Sequence, residues 1–210
     1  MDATMPVGGT VVLLRDRQGG AVETLLIRRP DRGSFAGGWV FPGGVVEDAD
    51  RTLDDADEQG IAALAAIREC EEEVGIRPSG LIALSCWVPP LEAPKRVRTW
   101  FFLAPAPAGE VILAADEVVE ARWVAPSEAL EQHAAGELRL FPPTWVTLLA
   151  LAQASGVSEA LAAASVPELY RTHILARGVF VWGGDSEHPE GGEGRHRLQT
   201  AALPWDYVRD

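Results

Sequence analysis

Apolar positions open the chain in two nearly continuous aliphatic and β-branched runs, 10–15 and 22–29. The stretch Asp16-Arg17-Gln18-Gly19-Gly20 lies between them, and the pattern predicts a β-hairpin. A glycine-rich segment at 33–38 leads to a short strand over 39–46 that is broken by Pro42-Gly43-Gly44. Across 47–58 the apolar period disappears: Glu47, Asp48, Asp50, Asp54, Asp55, Asp57 and Glu58 dominate, which predicts an exposed acidic loop. From 61 to 74 the spacing becomes helical. Ala63, Ile67, Cys70 and Val74 fall on one face with Leu64 at its edge, and Gly75 supplies a C-cap. Strand-like runs return at 80–88 and 97–104 around a loop carrying Pro89, Pro90 and Pro94, and again at 118–124. Helices are predicted at 126–135, at 142–154 after Pro142-Pro143-Thr144, and more weakly at 158–164. The tail regains β character at 177–182 and 195–208, with a Gly/Glu-rich loop between. No segment repeats, and strands and helices mix without regular alternation. The class is therefore α+β.

Composition narrows the chemistry. The 210 residues are 47% hydrophobic and 23% charged, which is ordinary globular material. The formal net charge of −13 disfavours a nucleic-acid partner, because such a surface repels the phosphate backbone, and it favours divalent cations. No apolar stretch is long enough for a bilayer, and residues 1–6 lack the pattern of a signal peptide. The two cysteines, Cys70 and Cys86, sit in apolar runs and form no disulfide framework. The expectation is a cytoplasmic protein with neither a membrane nor a nucleic-acid partner, and a homodimer is left open.

The informative segment is Arg68-Glu69-Cys70-Glu71-Glu72-Glu73-Val74-Gly75-Ile76. On a helix Glu69, Glu72 and Glu73 (i, i+3, i+4) share one face, while the apolar stripe packs on a sheet and the carboxylates point away from it. Carboxylates crowded near a helix C-terminus repel each other and oppose the helix dipole. A hard cation among them relieves both effects, and Mg²⁺ commonly bridges carboxylates to substrate phosphates. Arg68 is placed to hold one carboxylate by a charge-assisted hydrogen bond. Upstream, Phe41-Pro42-Gly43-Gly44 offers a glycine pair that lets backbone approach a ligand closely.

Gly44 together with this nine-residue segment resembles the Nudix box, G-x5-E-x7-R-E-U-x-E-E-x-G-U, with Cys70 at the first aliphatic position. The second half matches at every fixed position. The middle departs: 23 residues separate Gly44 from Arg68, ten more than the pattern has. Counting from Gly44 places the box's first Glu on Asp50, and counting back from Arg68 places it on Gly60, so Glu47 and Asp50 are the candidates. The run Leu25-Leu26-Ile27-Arg28-Arg29 is similar to the strand that leads into such a box. Glu117, six residues before Trp123, is similar to the family's late acidic residue, with Glu120 as its competitor.

The resemblance implies a Nudix-like α/β/α sandwich with a mixed twisted sheet over 1–140. Within it lies an insertion at about 47–60, and 141–210 form an extension packed on the same domain. It also implies Mg²⁺ or Mn²⁺ held by Glu69, Glu72, Glu73 and Glu117, with Glu117 or Glu69 removing a proton from water and Arg68 orienting Glu69. The substrate class implied is a small nucleotide, a nucleoside diphosphate linked to another moiety. Pro142-Pro143-Thr144, Gly184-Asp185 and Arg195-His196-Arg197 resemble a long-insert subgroup that includes coenzyme A diphosphatases. Coenzyme A or an acyl-CoA is thus the first substrate expectation, ADP-ribose or NADH the second, and a nucleotide sensor that does not cleave the third.

Other residues carry less. Arg28, Arg29 and Arg32, and Lys95, Arg96 and Arg98, are the two basic spots, so Arg28, Arg29 and Arg98 are expected to meet substrate phosphates with the backbone of Gly43 and Gly44. His133, His173, His188 and His196 lack ligand spacing and are read as surface or structural. Trp39, Trp87, Trp100 and Trp145 are read as core, with Trp87 or Trp100 the alternative for stacking a base. Ser186 is in no nucleophile context, and Cys70 is read as inert filler.

Overall fold

The computed structural model describes residues 5–17, 20–33, 35–51, 57–164, 166–176 and 178–210. Strand β1 (Val7–Arg17) is buried through its middle and organises the main sheet. With β2 (Ala21–Arg28) it makes the expected hairpin, registered from Arg17↔Ala21 to Leu14↔Thr24. Beyond that point the two strands part. The far half of β2 pairs with β3 (Trp39–Val40), while β4 (Gly43–Val45) lies antiparallel to Gly8–Thr10 of β1. Helix α1 (Glu58–Val74) follows, and β5 (Ile82–Val88) and β6 (Arg98–Pro105) then pair antiparallel, with β6 parallel to β1. Strand β7 (Glu120–Val124) adds antiparallel to β2.

Helices α2 (Pro126–Ala134), α3 (Pro142–Leu151) and α4 (Val157–Ala163) come next, the first two with proline in the opening turn, where a missing N–H costs nothing. Strand β8 (Glu168–Arg171) then returns to the main sheet, parallel to β5. Strands β9 (His173–Leu175), β10 (Val179–Val181), β11 (His196–Gln199) and β12 (Asp206–Arg209) form a second, antiparallel sheet in the order β12-β11-β10-β9.

Alternation along the strands sorts the core into two faces. Val11, Leu13, Leu25 and Ile27 pack on Ala62, Ala66, Cys70 and Val74 of α1. Val12, Leu14 and Leu26 face the other way, toward Ala129 of α2, Trp145 and Leu148 of α3, and Trp182 and Leu198 from the second sheet. The result is a mixed sheet between helices, the α+β arrangement the sequence predicts. Helix α1 lies so close to β1 that a Cβ on Gly9 would fall 1.8 Å from the Ala62 carbonyl oxygen.

Several expectations are corrected here. Helix α1 begins at Glu58 rather than 61, because Asp57 caps it by accepting the Gly60 N–H at 2.8 Å. The acidic stretch is not uniformly exposed: Asp48–Asp50 form a 3-10 turn and Asp50 is buried. Residues 52–56 of that insertion lie outside the described residues. The segment 195–208 is two strands rather than one, and β8 and β9 fall where no strand was expected. His133, His188 and His196 are buried structural groups, and the ring nitrogens nearest Leu138, Arg171 and Gly183 meet those carbonyl oxygens at 2.9, 2.9 and 3.0 Å. Trp87 is core, stacked on Tyr170 with centroids 3.9 Å apart. Trp100, also expected in the core, is only half-buried and donates its indole N–H to Glu58 at 2.9 Å.

Candidate metal and phosphoanhydride site

The last two turns of α1 face β4, and β4 is what makes room for them. Gly44 lies against Glu69, and a Cβ there would fall 2.1 Å from Glu69 Oε1, so glycine lets the Glu69 carboxylate take this position and a larger residue would push it aside. One residue earlier, Gly43 donates its backbone N–H to Glu73 Oε2 at 2.9 Å. Arg29, just past β2, gives a 2.9 Å hydrogen bond to the Gly43 carbonyl and sets its guanidinium against Glu73 Oε1. Glu73 therefore does not point away from the protein. It is fully buried.

Arg68 is the second organiser. It makes two 3.0 Å hydrogen bonds to the Asp50 carboxylate and one of 3.1 Å to the Val45 carbonyl, and it reaches Glu69 at 3.1 Å and Glu72 at 2.9 Å. Such fork-to-carboxylate pairing is strong and directional. Asp50 is the acidic residue at the forward count from Gly44. Its carboxylate also accepts the Glu47 N–H at 2.8 Å, which closes the 3-10 turn. Of the two candidates for the box's first Glu, Asp50 meets Arg68.

The late acidic residue arrives from the opposite side. The loop before β7 is tied to the end of α1 by Ile112 N–H to the Val74 carbonyl at 2.9 Å and Ala114 N–H to the Glu73 carbonyl at 3.1 Å. Val118 is buried in the α1-side core and pins the loop, which presents Glu117. Sequence reasoning places Val118 in a strand over 118–124, whereas the strand starts at Glu120 and Val118 anchors the loop before it. Glu120, the competitor, is taken up by Arg122 at 2.6 Å.

Glu69, Glu73 and Glu117 thus come from two segments into one cluster, each offering an oxygen within 4.8 Å of the others. Glu72 stays outside this group and leans on Arg68. Burial pushes the Glu73 carboxyl up to about 7, against the opposing pull of Arg29 and the Gly43 N–H. Burial also raises Glu69, with Arg68 opposing. Asp50 is held below its ordinary value: burial alone would raise it, but the Arg68 hydrogen bonds and the Glu47 N–H more than compensate. Glu73 Oε1 is buried and faces the Arg29 guanidinium without an aligned hydrogen bond. A buried carboxylate beside two further carboxylates is the donor set that a hard divalent cation takes.

The basic residues divide. Arg29 borders the cluster as described. Arg32 donates to the Asp116 carbonyl at 3.4 Å, next to Glu117, and the Arg28 carbonyl accepts the Val119 N–H at 3.0 Å while its side chain reaches toward Asp31. Arg98 does not join them. It is buried and paired with Glu58 at the far end of α1, about 16 Å along the axis from Glu69. The backbone N–H and C=O of Gly43 are likewise engaged by protein rather than open to substrate. A separate cleft of about 450 Å³, lined by His133, Arg139, Phe141, Phe180, Leu203 and Trp205, has none of the cluster residues in its wall. Cys70 lies on the packing face as expected, its thiol pushed up to about 12 by burial.

Comparison with known proteins agrees with this construction. A NUDIX domain model matches residues 5–143. The fold is similar to a NUDIX hydrolase from Alicyclobacillus acidocaldarius (TM-score 0.70, 23% identity, 79% of this chain and 99% of that one). It is also similar to a MutT NUDIX hydrolase from Burkholderia pseudomallei (TM-score 0.52, 25% identity, 70% of this chain and 97% of that one). Because the matched residues span every element from β1 to the start of α3, including both halves of the carboxylate cluster, the chain belongs to the Nudix family of phosphoanhydride hydrolases.

Proposed function

We propose that this chain hydrolyses a phosphoanhydride in a nucleoside diphosphate linked to a second moiety, using Mg²⁺ or Mn²⁺ bound by Glu69, Glu73 and Glu117. The observation that carries the reading is the gathering of these three carboxylates, one fully buried, with an oxygen of each within 4.8 Å of the others. A divalent cation held there would neutralise the diphosphate and lower the pKa of water, so that hydroxide is available near neutral pH. The protein's own residues then have distinct tasks. Glu73 is fixed by Gly43 and Arg29 and serves as a ligand. Glu69 is oriented by Arg68, and Glu72 shares that arginine. Among the described residues the Glu117 side chain has neither hydrogen bond nor ion pair, which leaves it free to accept the proton of the attacking water.

Coenzyme A or an acyl-CoA heads the substrate panel on the resemblance of the C-terminal segments to the coenzyme A diphosphatases. Those segments themselves have structural tasks: Asp185 is buried and clasped by Arg197, and Thr144 is buried in the first turn of α3. The deciding experiment incubates the protein and its Glu73→Gln variant with Mg²⁺ and CoA, acetyl-CoA, ADP-ribose, NADH or diadenosine polyphosphates, and separates the products. EDTA-sensitive release of 3′,5′-ADP from CoA, absent in the variant, is the expected result. Cleavage of another compound keeps the chemistry and replaces the substrate. No cleavage of any of them overturns the reading.

A further inference from the structure

Glu73 is fully buried, and the cation against it among the described residues is Arg29. Three groups close a ring: the Arg29 guanidinium on Glu73 Oε1, the Gly43 N–H on Glu73 Oε2, and Arg29 on the Gly43 carbonyl. Within that ring Oε1 accepts no aligned hydrogen bond, so the guanidinium acts there mainly as a charge. The same carboxylate belongs to the cluster in which Glu69 and Glu117 converge. A cation taken up by that cluster and the guanidinium would compete for one desolvated carboxylate, where like charges repel strongly.

We propose that Arg29 is the built-in counter-ion of Glu73, that a divalent cation displaces it, and that the released guanidinium then engages the anionic diphosphate of the substrate. Arg29 thereby has two successive anionic partners, a carboxylate it meets as a charge and then a phosphate that suits its planar fork. The idea rests on the metal-dependent reading of the site given above. Coupling of this kind is reciprocal: whatever holds Arg29 on Glu73 is subtracted from the affinity for the cation. Removing the guanidinium should therefore tighten cation binding while weakening substrate binding, a pair of opposite effects that a merely structural arginine would not produce.

The test measures Mn²⁺ binding by electron paramagnetic resonance in the wild type, Arg29→Gln and Arg29→Lys, at about pH 8.5, where carboxyl groups are ionised. Arg29→Gln is expected to bind Mn²⁺ about tenfold more tightly, with a raised KM for hydrolysis, and Arg29→Lys, which keeps the positive charge but loses the fork, to leave Mn²⁺ affinity nearer the wild type while still raising KM. Unchanged or weaker Mn²⁺ binding by Arg29→Gln, with an unaltered circular dichroism spectrum and melting temperature, would overturn the proposal. If Arg29→Gln does not fold, ¹⁵N NMR of the wild-type guanidinium groups decides. A shift of the Arg29 resonance on adding Mg²⁺ supports displacement, and a resonance unmoved at saturating Mg²⁺ refutes it. Absence of Mn²⁺ binding in every variant, the wild type included, would instead overturn the metal reading itself and this inference with it.

Discussion

Replacing Asp50 by alanine tests whether Arg68 is held by the acidic insertion. Asp50 is 4% exposed and accepts two 3.0 Å hydrogen bonds from Arg68, so the pair is not an exposed ion pair of negligible worth. Removing one partner of a buried pair costs about 3–5 kcal/mol. Arg68 keeps Glu69, Glu72 and the Val45 carbonyl, and its side chain is 20% exposed, which brings the expected loss down to about 3 kcal/mol. For a chain of this size that corresponds to a fall in Tm of about 6–12 °C. The second effect is functional. Arg68 orients Glu69, and loss of such a supporting partner typically costs about 10–100-fold in metal affinity or activity. The assay pairs calorimetry with Mn²⁺ binding on Asp50→Ala, Arg68→Ala and the double variant. The two losses should fail to add, since both break one interaction. An Asp50→Ala protein that melts with the wild type, or losses that simply add, would refute the assignment of Asp50 as the partner of Arg68.

Gly44→Ala should leave the sheet folded but force Glu69 aside, with a loss of cleavage of about 10–100-fold in a steady-state assay. Cation binding should depend on pH through Glu73. Its carboxyl must give up a proton near pH 7, so Mg²⁺ affinity measured calorimetrically should fall about tenfold per unit below that point and level off above it. Without metal the sign reverses: a raised carboxyl favours the folded state below its unfolded value, and that contribution is lost as pH rises through about 7, which urea melts at several pH values would detect. Arg98→Ala should lower the melting temperature, because Glu58 and the start of α1 lose a buried partner, yet leave KM unchanged; a raised KM would restore Arg98 as a substrate contact.

Much of this site can be read from sequence because its parts are local. Glu69, Glu72 and Glu73 follow from helical spacing, and Gly44 and Arg68 from a short pattern. What spacing cannot supply is the environment. The 3.6-residue period puts Glu73 on the same face as Glu69, yet burial of Glu73 is decided by β4, which pairs with β1 and brings Gly43 over the helix. Asp50 was ambiguous because ten extra residues break the linear count, whereas in space the 3-10 turn restores it. Arg98 looks like a phosphate ligand in sequence, as any arginine in an acidic chain does. Only the parallel pairing of β6 with β1 shows that it ends beside Glu58. In the extension, β8 was overlooked because four residues following an alanine-rich helix carry little periodic signal. Its pairing partner lies more than 80 residues earlier.

That long-range pairing bears on how the chain can be made. With β8 in place, β5 is an interior strand, and Trp87 is roofed by Tyr170 and Trp182. Until residue 171 has been synthesised, β5 remains a sheet edge whose backbone N–H and C=O groups have no partner on one side, with a large indole uncovered beside them. Such edges recruit other chains. The segment matching the family model, ending at residue 143, would present that edge permanently if expressed by itself. In the full chain β8 takes over the edge position from β5, and the smallest portion of this chain that covers β5 must reach at least to Arg171.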